Sequence, residues 1–424
     1  MPDSITIVGA SLAGLRGAET LRNDGYDGRI TVIGDETEAP YDRPPLSKQV
    51  LSGWVNATQT ELPALRPVDA EWILGVRATG LDRGTRAVQL SDGSWIGFDR
   101  LLVATGARAR RWPVAAEARL DGVIALRTRD DARALRTRLA SRPERVVVVG
   151  GGFTGCEVAS SCIDLGVPVT VVEALEAPLQ AALGATVGRY SAAAQRAKGV
   201  DLRTGVSVTS LEADGAGRLA RVRLSDGQAM ETSVAVICLG AMPNIEWLGG
   251  SGLAVSPRGL HCDSAGRALG ADGCTATGIF AAGDVVQMDH PAFPGPPLRT
   301  EHWASACEQA AVAGANIAQD GEPTHRIAAL PGFWSMQFGA CLKLVGAPER
   351  ADRTELLHGS VESGRFVVGY GQGGRLVAAA AVDHTHWLPF YETQIEAGAA
   401  FPPTFARVDP PIAPTAVAAQ ELAS

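Results

Sequence analysis

The sequence predicts an α/β protein with two nucleotide-binding βαβ domains and a smaller C-terminal α+β domain. Three observations carry the prediction. An apolar run, ITIVG at Ile5–Gly9, leads through a glycine turn into a helical stretch from Leu12 to about Arg22 and on to RITVIGD. A near copy, RVVVVGGG at Arg145–Gly152, recurs about 140 residues later and leads into a helical stretch from Phe153 to about Leu165 and then PVTVVEA. From about Gly332 the alternation weakens, and CLKLVG, RFVVGYG and RLVAAAAV read as strands of one sheet.

Two such units imply two nucleotide-sized domains in the 424 residues, followed by a third (326–410) and a proline- and alanine-rich tail (411–424). The 49 glycines suit many tight βα turns. A net charge of −8 argues against nucleic acid as the main partner. Seven cysteines without a regular framework fit a reducing compartment. No charged leader precedes the first strand, and no apolar run approaches the ~18 residues of a membrane span, so a soluble cytoplasmic protein is expected.

In the second unit Gly150, Gly152 and Gly155 fit GxGxxG between strand and helix. The first glycine allows the tight turn, the second lets a pyrophosphate approach the backbone, and the third lets helix pack on strand. The anion then rests on the helix N-terminus. Glu173 follows Gly155 by 18 residues and closes the next strand, where a carboxylate accepts from an adenosine ribose. A carboxylate repels a 2′-phosphate and ALEAPLQ supplies no arginine, so NADH is favoured over NADPH. The first unit reads Gly9, Ser11, Gly14, with serine replacing the middle glycine, and Asp35 follows Gly14 by 21 residues as the candidate ribose ligand. Two such sites in one chain are used most economically by a flavin in the first and a nicotinamide in the second, because hydride passes between them.

At this point the chain resembles the FAD-dependent pyridine nucleotide reductases, and among them the ferredoxin reductases that serve oxygenases and cytochromes P450. LLVATG (Leu101–Gly106) and VICLGAMPN (Val236–Asn244) are similar to the family's crossovers between its nucleotide domains, which implies a discontinuous first domain (1–110 and 243–325) around the second (111–242). TGIFAAGDV (Thr277–Val285) is similar to its second flavin motif, and YDRPPLSK (Tyr41–Lys48) and FWSMQFG (Phe333–Gly339) to segments of the ferredoxin reductase branch. The resemblance implies a glutathione-reductase-like fold with two Rossmann-like domains, FAD and NADH as cofactors, and a [2Fe–2S] ferredoxin as electron acceptor. It further implies that Asp284 binds the ribitol chain, that Ala13 and Arg127 contact the flavin pyrophosphate, and that Ala78 contacts the adenine end through its backbone. Trp303 is placed beside the flavin ring. Leu12, Arg43, Ala104, Thr105, Gly106, Phe153, Thr154, Gly240 and Gly283 complete the expected cofactor contacts. Lys48 is expected at the flavin N5, paired with Glu157, where a cation polarises the hydride-accepting position.

Two features limit the chemistry further. No CxxC occurs and no cysteine precedes Cys156, so disulfide reduction is not expected; Cys307 lies nearest the flavin helix. From Arg108 to Arg145 eleven arginines face five acids, a local balance of +6 that would steer an acidic ferredoxin, although a solvated helix explains it equally well. FWSMQFG carries Met336 where the family has an acid. DHTHW (Asp383–Trp387) places two histidines on one face of a possible strand without a wider ligand pattern, and no metal site is expected. A monomer or weak homodimer is expected. Competing readings are an NADH oxidase or another flavin-dependent reductase, and a redox-switched FAD-bound interaction protein resembling apoptosis-inducing factor.

Overall fold

The structure, a computed structural model, describes residues 2–65 and 67–403. The expected tail, 411–424, and the end of the expected third domain lie outside the described residues. In the first unit strand β1 (Ser4–Val8) turns at Gly9 into helix α1 (Leu12–Asn23) and returns as β2 (Arg29–Gly34). The second unit repeats this with β3 (Val146–Val149), α2 (Phe153–Asp164) and β4 (Val169–Glu173). Ile5, Ile7 and Val8 of β1 and all four valines of β3 are buried, as expected of parallel strands covered on both faces.

β1 pairs in parallel with β2 on one side (Ser4↔Arg29) and with Arg100–Val103 on the other (Ile5↔Arg100). The latter strand pairs in parallel with Thr275–Ala281, so the first sheet is completed by a segment far along the chain. Between them the chain builds the second sheet, where β3 lies between β4 and Val234–Ile237, all parallel. The chain crosses out through Ala107–Ala109 and back through Ala241–Pro243, which pair with each other antiparallel. Reciprocal bonds lock this crossing: Thr105 Oγ1 donates to the Asn244 carbonyl and Asn244 Nδ2 to the Thr105 carbonyl, both at 2.8 Å.

Helix α3 (Trp303–Ile317) lies against α1 through small residues. A Cβ on Gly314 would stand 2.9 Å from Thr20 Cβ, so the two helices approach too closely for any larger side chain there. The C-terminal sheet is antiparallel, with β5 (Gly332–Gln337) at its edge, followed by Ala340–Gly346, Arg375–Val382, Arg365–Gln372 and Arg353–Ser360. Helix Leu388–Glu396 covers it with Leu388, Tyr391 and Ile395.

The histidine pair of DHTHW does not lie on a strand. Thr385–Trp387 forms one 3₁₀ turn ahead of that helix, His384 is buried, and Trp387 stacks on His358 at 3.8 Å. These rings pack the C-terminal core. Among the described residues no group of three or more His, Cys, Asp or Glu side chains could hold a metal ion.

Candidate active site

Both glycine turns are built by close backbone approach. Gly9 sits at φ +126°, and a Cβ there would lie 2.0 Å from the Ala104 carbonyl oxygen. A Cβ on Gly14 would lie 1.8 Å from the Gly9 oxygen. The second turn repeats the arrangement, with Gly150 at φ +104° and a Cβ on Gly155 falling 2.0 Å from the Gly150 oxygen. Gly152, by contrast, faces open space at its α-carbon, and neither Ser11 nor Gly152 caps its helix with a side chain. Free N–H groups of the first turn therefore face outward at each helix start, which is how a helix N-terminus receives a phosphate.

The first turn, Gly9 to Ala13, lines a cavity of about 710 Å³ enclosed by both βαβ units and β5. A site of this size with the first glycine cradle in its wall fits one dinucleotide, and the second cradle begins the helix that brings Phe153, Thr154 and Glu157 to the same cavity. Asp35 is exposed and lines the cavity. Its neighbour Glu36, which the sequence pattern did not single out, holds Arg43 at 2.5 Å and accepts from the Tyr41 hydroxyl. Arg43 also donates to the Tyr41 hydroxyl at 2.8 Å and to the Arg127 carbonyl at 3.0 Å, so the guanidinium is oriented from three sides.

Ala104, Thr105 and Gly106 line the cavity, as do Gly283 and Asp284. Asp284 pairs with Arg127 at 2.6 Å, and Arg127 Nε donates to the Ala107 carbonyl. Trp303 opens α3, lines the cavity, and donates from Nε1 to Asp42 at 2.9 Å. Burial raises the Asp42 carboxyl above its usual range, against the lowering effect of that bond and of Lys48. His302, which sequence reasoning missed, precedes α3 without a side-chain capping bond, and burial pushes its imidazole down to about 4. It is neutral at pH 7 and lies beside Phe333, whose ring meets Phe153 at 4.2 Å.

Phe153 and Thr154 reach the cavity, whereas Gly150, Gly152, Gly155 and Glu173 lie along the second turn outside it. Glu173 accepts from the Gly151 N–H at 2.7 Å and the Leu175 N–H at 2.8 Å, which fixes its carboxylate across the turn. Gly240 and Ala78 are not brought to the cavity. Gly240 receives Arg110 N–H on its carbonyl, and Ala78 is 7% exposed within the core of the first domain.

Lys48 and Glu157 come together across the cavity wall, Nζ to Oε2 at 2.8 Å. YDRPPLSK delivers the lysine by a 3₁₀ turn at Pro44–Ser47, since the two prolines fix φ and withhold donors. Two further partners were not read from the sequence. Ser47 donates to Oε2 of Glu157, and Ser335 of β5 donates to Oε1 at 2.7 Å.

No cysteine is among the residues lining the cavity. Burial pushes the Cys156 and Cys162 thiols up to about 12, and Cys307 is raised by the same cause. The arginine-rich segment is not one free face. Arg127 is in the cavity, Arg129 is buried over the Tyr41 ring, Arg108 pairs with Glu246, Arg133 with Glu38 and Asp130, and Arg138 with Asp121. Distant acids, Glu246, Asp284 and Glu38, offset part of the local charge through Arg108, Arg127 and Arg133.

Fold and site together define a two-domain dinucleotide-type oxidoreductase whose cavity carries the Lys48–Glu157 pair and no cysteine among its lining residues. The chain belongs to the pyridine nucleotide-disulphide oxidoreductase family, whose model matches residues 3–311, and a reductase C-terminal domain matches 332–412. It is 35% identical to rhodocoxin reductase from Rhodococcus erythropolis over 90% of this chain and 86% of that protein. It is 37% identical to the ferredoxin–NAD(+) reductase component of the anthranilate 1,2-dioxygenase system from Burkholderia cepacia, covering 90% of this chain and 91% of the relative. Putidaredoxin reductase in its covalent complex with putidaredoxin superposes with a TM-score of 0.86 at 31% identity, covering 94% of each chain. No helix among the described residues is long and apolar enough to cross a membrane.

Proposed function

We propose that this protein is an NADH-dependent ferredoxin reductase that takes hydride from NADH onto FAD and passes electrons singly to a small [2Fe–2S] ferredoxin. That ferredoxin serves a cytochrome P450 or a ring-hydroxylating oxygenase. The observation that carries the reading is the Lys48–Glu157 pair at 2.8 Å in a cavity with no cysteine lining it. Similarity to the reductase components of oxygenase systems supports it.

Bound FAD supplies the ability to accept two electrons as hydride and to release them one at a time. The chain's own residues do the rest. Gly9, Ser11, Ala13 and the start of α1 receive one pyrophosphate, and Gly150, Gly152 and Gly155 with the start of α2 receive the other. Asp35 and Glu173 select the riboses, and Glu173 disfavours a 2′-phosphate by its charge. Asp284 and Arg127 orient the flavin's chain and phosphates. Lys48 holds a positive charge at the reacting end, and Glu157 keeps that charge oriented and compensated. Phe153 and Phe333 exclude water from the nicotinamide side, and Trp303 borders the flavin side. The protein works in the cytoplasm as a monomer or weak homodimer.

The test is anaerobic mixing with NADH, followed by ferredoxin and cytochrome c. Flavin bleaching and ferredoxin-dependent cytochrome reduction support the reading. Slow bleaching accompanied by a change of oligomeric state would instead favour a redox-switched interaction protein.

A further inference from the structure

We propose that Ser335, together with Ser47, is a positioning residue that fixes the Glu157 carboxylate and through it the ammonium group of Lys48. The inference rests on the reading of Lys48 as the charge at the reacting end of the cavity. Three separate parts of the chain meet at this carboxylate. Ser47 and Lys48 come from YDRPPLSK, Glu157 from α2, and Ser335 from β5 of the C-terminal sheet.

The site is enclosed. Ser335 is 0% exposed, and the Glu157 and Lys48 side chains are 8% and 17% exposed. Each hydroxyl has one proton, and the geometry commits both protons to Glu157. Ser335 Oγ accepts from Gln337 Nε2 at 3.1 Å and donates to Oε1 at 2.7 Å. Ser47 Oγ accepts from Lys48 Nζ at 3.3 Å and donates to Oε2. Every bond in the chain therefore points toward the carboxylate, the arrangement that holds an ionised acid in a protected site.

Removing the Ser335 hydroxyl would leave Oε1 against the buried wall of β5 without a donor. A carboxylate that loses a donor in a low-dielectric site becomes easier to protonate. Once protonated, it no longer holds the lysine. The C-terminal sheet thereby contributes to the reacting end through a hydroxyl on Glu157 as well as through the cavity wall at Phe333 and Trp334.

A merely structural role is separable, because the residue that follows this strand is tied to the same helix by a second bond. Phe338 N–H donates to Ser160 Oγ at 2.7 Å, and Ser160 has no bond to Glu157. Ser335→Ala, Ser47→Ala and the control Ser160→Ala are compared in the full FAD-loaded protein. The readouts are the pH dependence of single-turnover flavin reduction by NADH and the midpoint potential of the bound flavin.

Loss of one hydrogen bond to a charged group predicts a roughly tenfold slower reduction on the acid side for Ser335→Ala and for Ser47→Ala. The acid limb moves up by about one pH unit, and the potential becomes more negative by about 30 mV, the two-electron equivalent of a tenfold change. Ser160→Ala keeps the wild-type limb and potential. The proposal is overturned if Ser335→Ala and Ser47→Ala retain both, or if Ser160→Ala moves them equally. Should Ser335→Ala not fold, Ser47→Ala decides alone. If the wild-type protein takes no hydride from NADH, the functional reading fails, and the potentials of the same three variants still decide this one.

Discussion

Replacing Glu173 with alanine tests the proposed nicotinamide site where its geometry is best defined. The carboxylate is held by two backbone donors, Gly151 N–H at 2.7 Å and Leu175 N–H at 2.8 Å, so it is oriented before any ligand arrives. A charged hydrogen bond to a ribose contributes about 1.5 to 3 kcal/mol, so kcat/KM for NADH should fall about ten- to hundredfold. The effect on NADPH runs the other way. Two like charges about 4 Å apart repel by about 4 kcal/mol at an effective dielectric of 20, and because Glu173 is partly exposed, about half of that is retained. Together these terms reduce the NADH-to-NADPH preference by about three orders of magnitude or more. Steady-state kinetics with both nucleotides and saturating ferredoxin measure it. An unchanged ratio in Glu173→Ala would refute the assignment of this carboxylate to the ribose.

The remaining predictions concern the turns, the lysine, the protein's acid stability and the arginine segment. Gly155→Ala places a Cβ 2.0 Å from the Gly150 oxygen and should yield little folded protein, whereas Gly152→Ala, which meets open space, should fold normally and weaken NADH binding in a titration. Lys48→Met should slow flavin reduction by about a hundredfold, in the range found for loss of one preorganised electrostatic group, with NADH affinity nearly unchanged in rapid-mixing experiments. His302 is depressed to about 4 by burial, so the unfolded chain binds its proton first and stability falls as pH drops from about 6.5 toward 4. The loss approaches about 3 kcal/mol, and His302→Gln should flatten that part of the pH dependence of thermal unfolding. Because Arg133 and Arg138 already face acids of this chain, reversing either to glutamate should change the KM for ferredoxin by less than about twofold, within the range of exposed ion pairs.

The local features of this fold were legible in the sequence. Helix α1 begins at Leu12 and α2 at Phe153, where the glycine turns placed them, because turn chemistry and apolar periodicity are properties of a few neighbouring residues. What depended on distant segments was not legible. Nothing in TGIFAAG indicates that it pairs with Leu101–Val103, and nothing in Glu36 shows that it, rather than a solvated position, faces Arg43. The Lys48–Glu157 contact came from family resemblance, but Ser47 and Ser335 on the same carboxylate did not, even though both lie in segments already singled out. A serine among apolar neighbours carries no signature of its partner. DHTHW failed for a related reason, since alternation over five residues fits a strand and a 3₁₀ turn alike.

The most direct test of the central claim is a single anaerobic experiment on the FAD-loaded protein, in which one equivalent of NADH is mixed in and a [2Fe–2S] ferredoxin with cytochrome c is added afterwards. NADH, and not NADPH, should bleach the flavin rapidly, and cytochrome reduction should then require the ferredoxin. A flavin that stays oxidised with NADH, or electrons that reach cytochrome c equally fast without ferredoxin, would contradict the account.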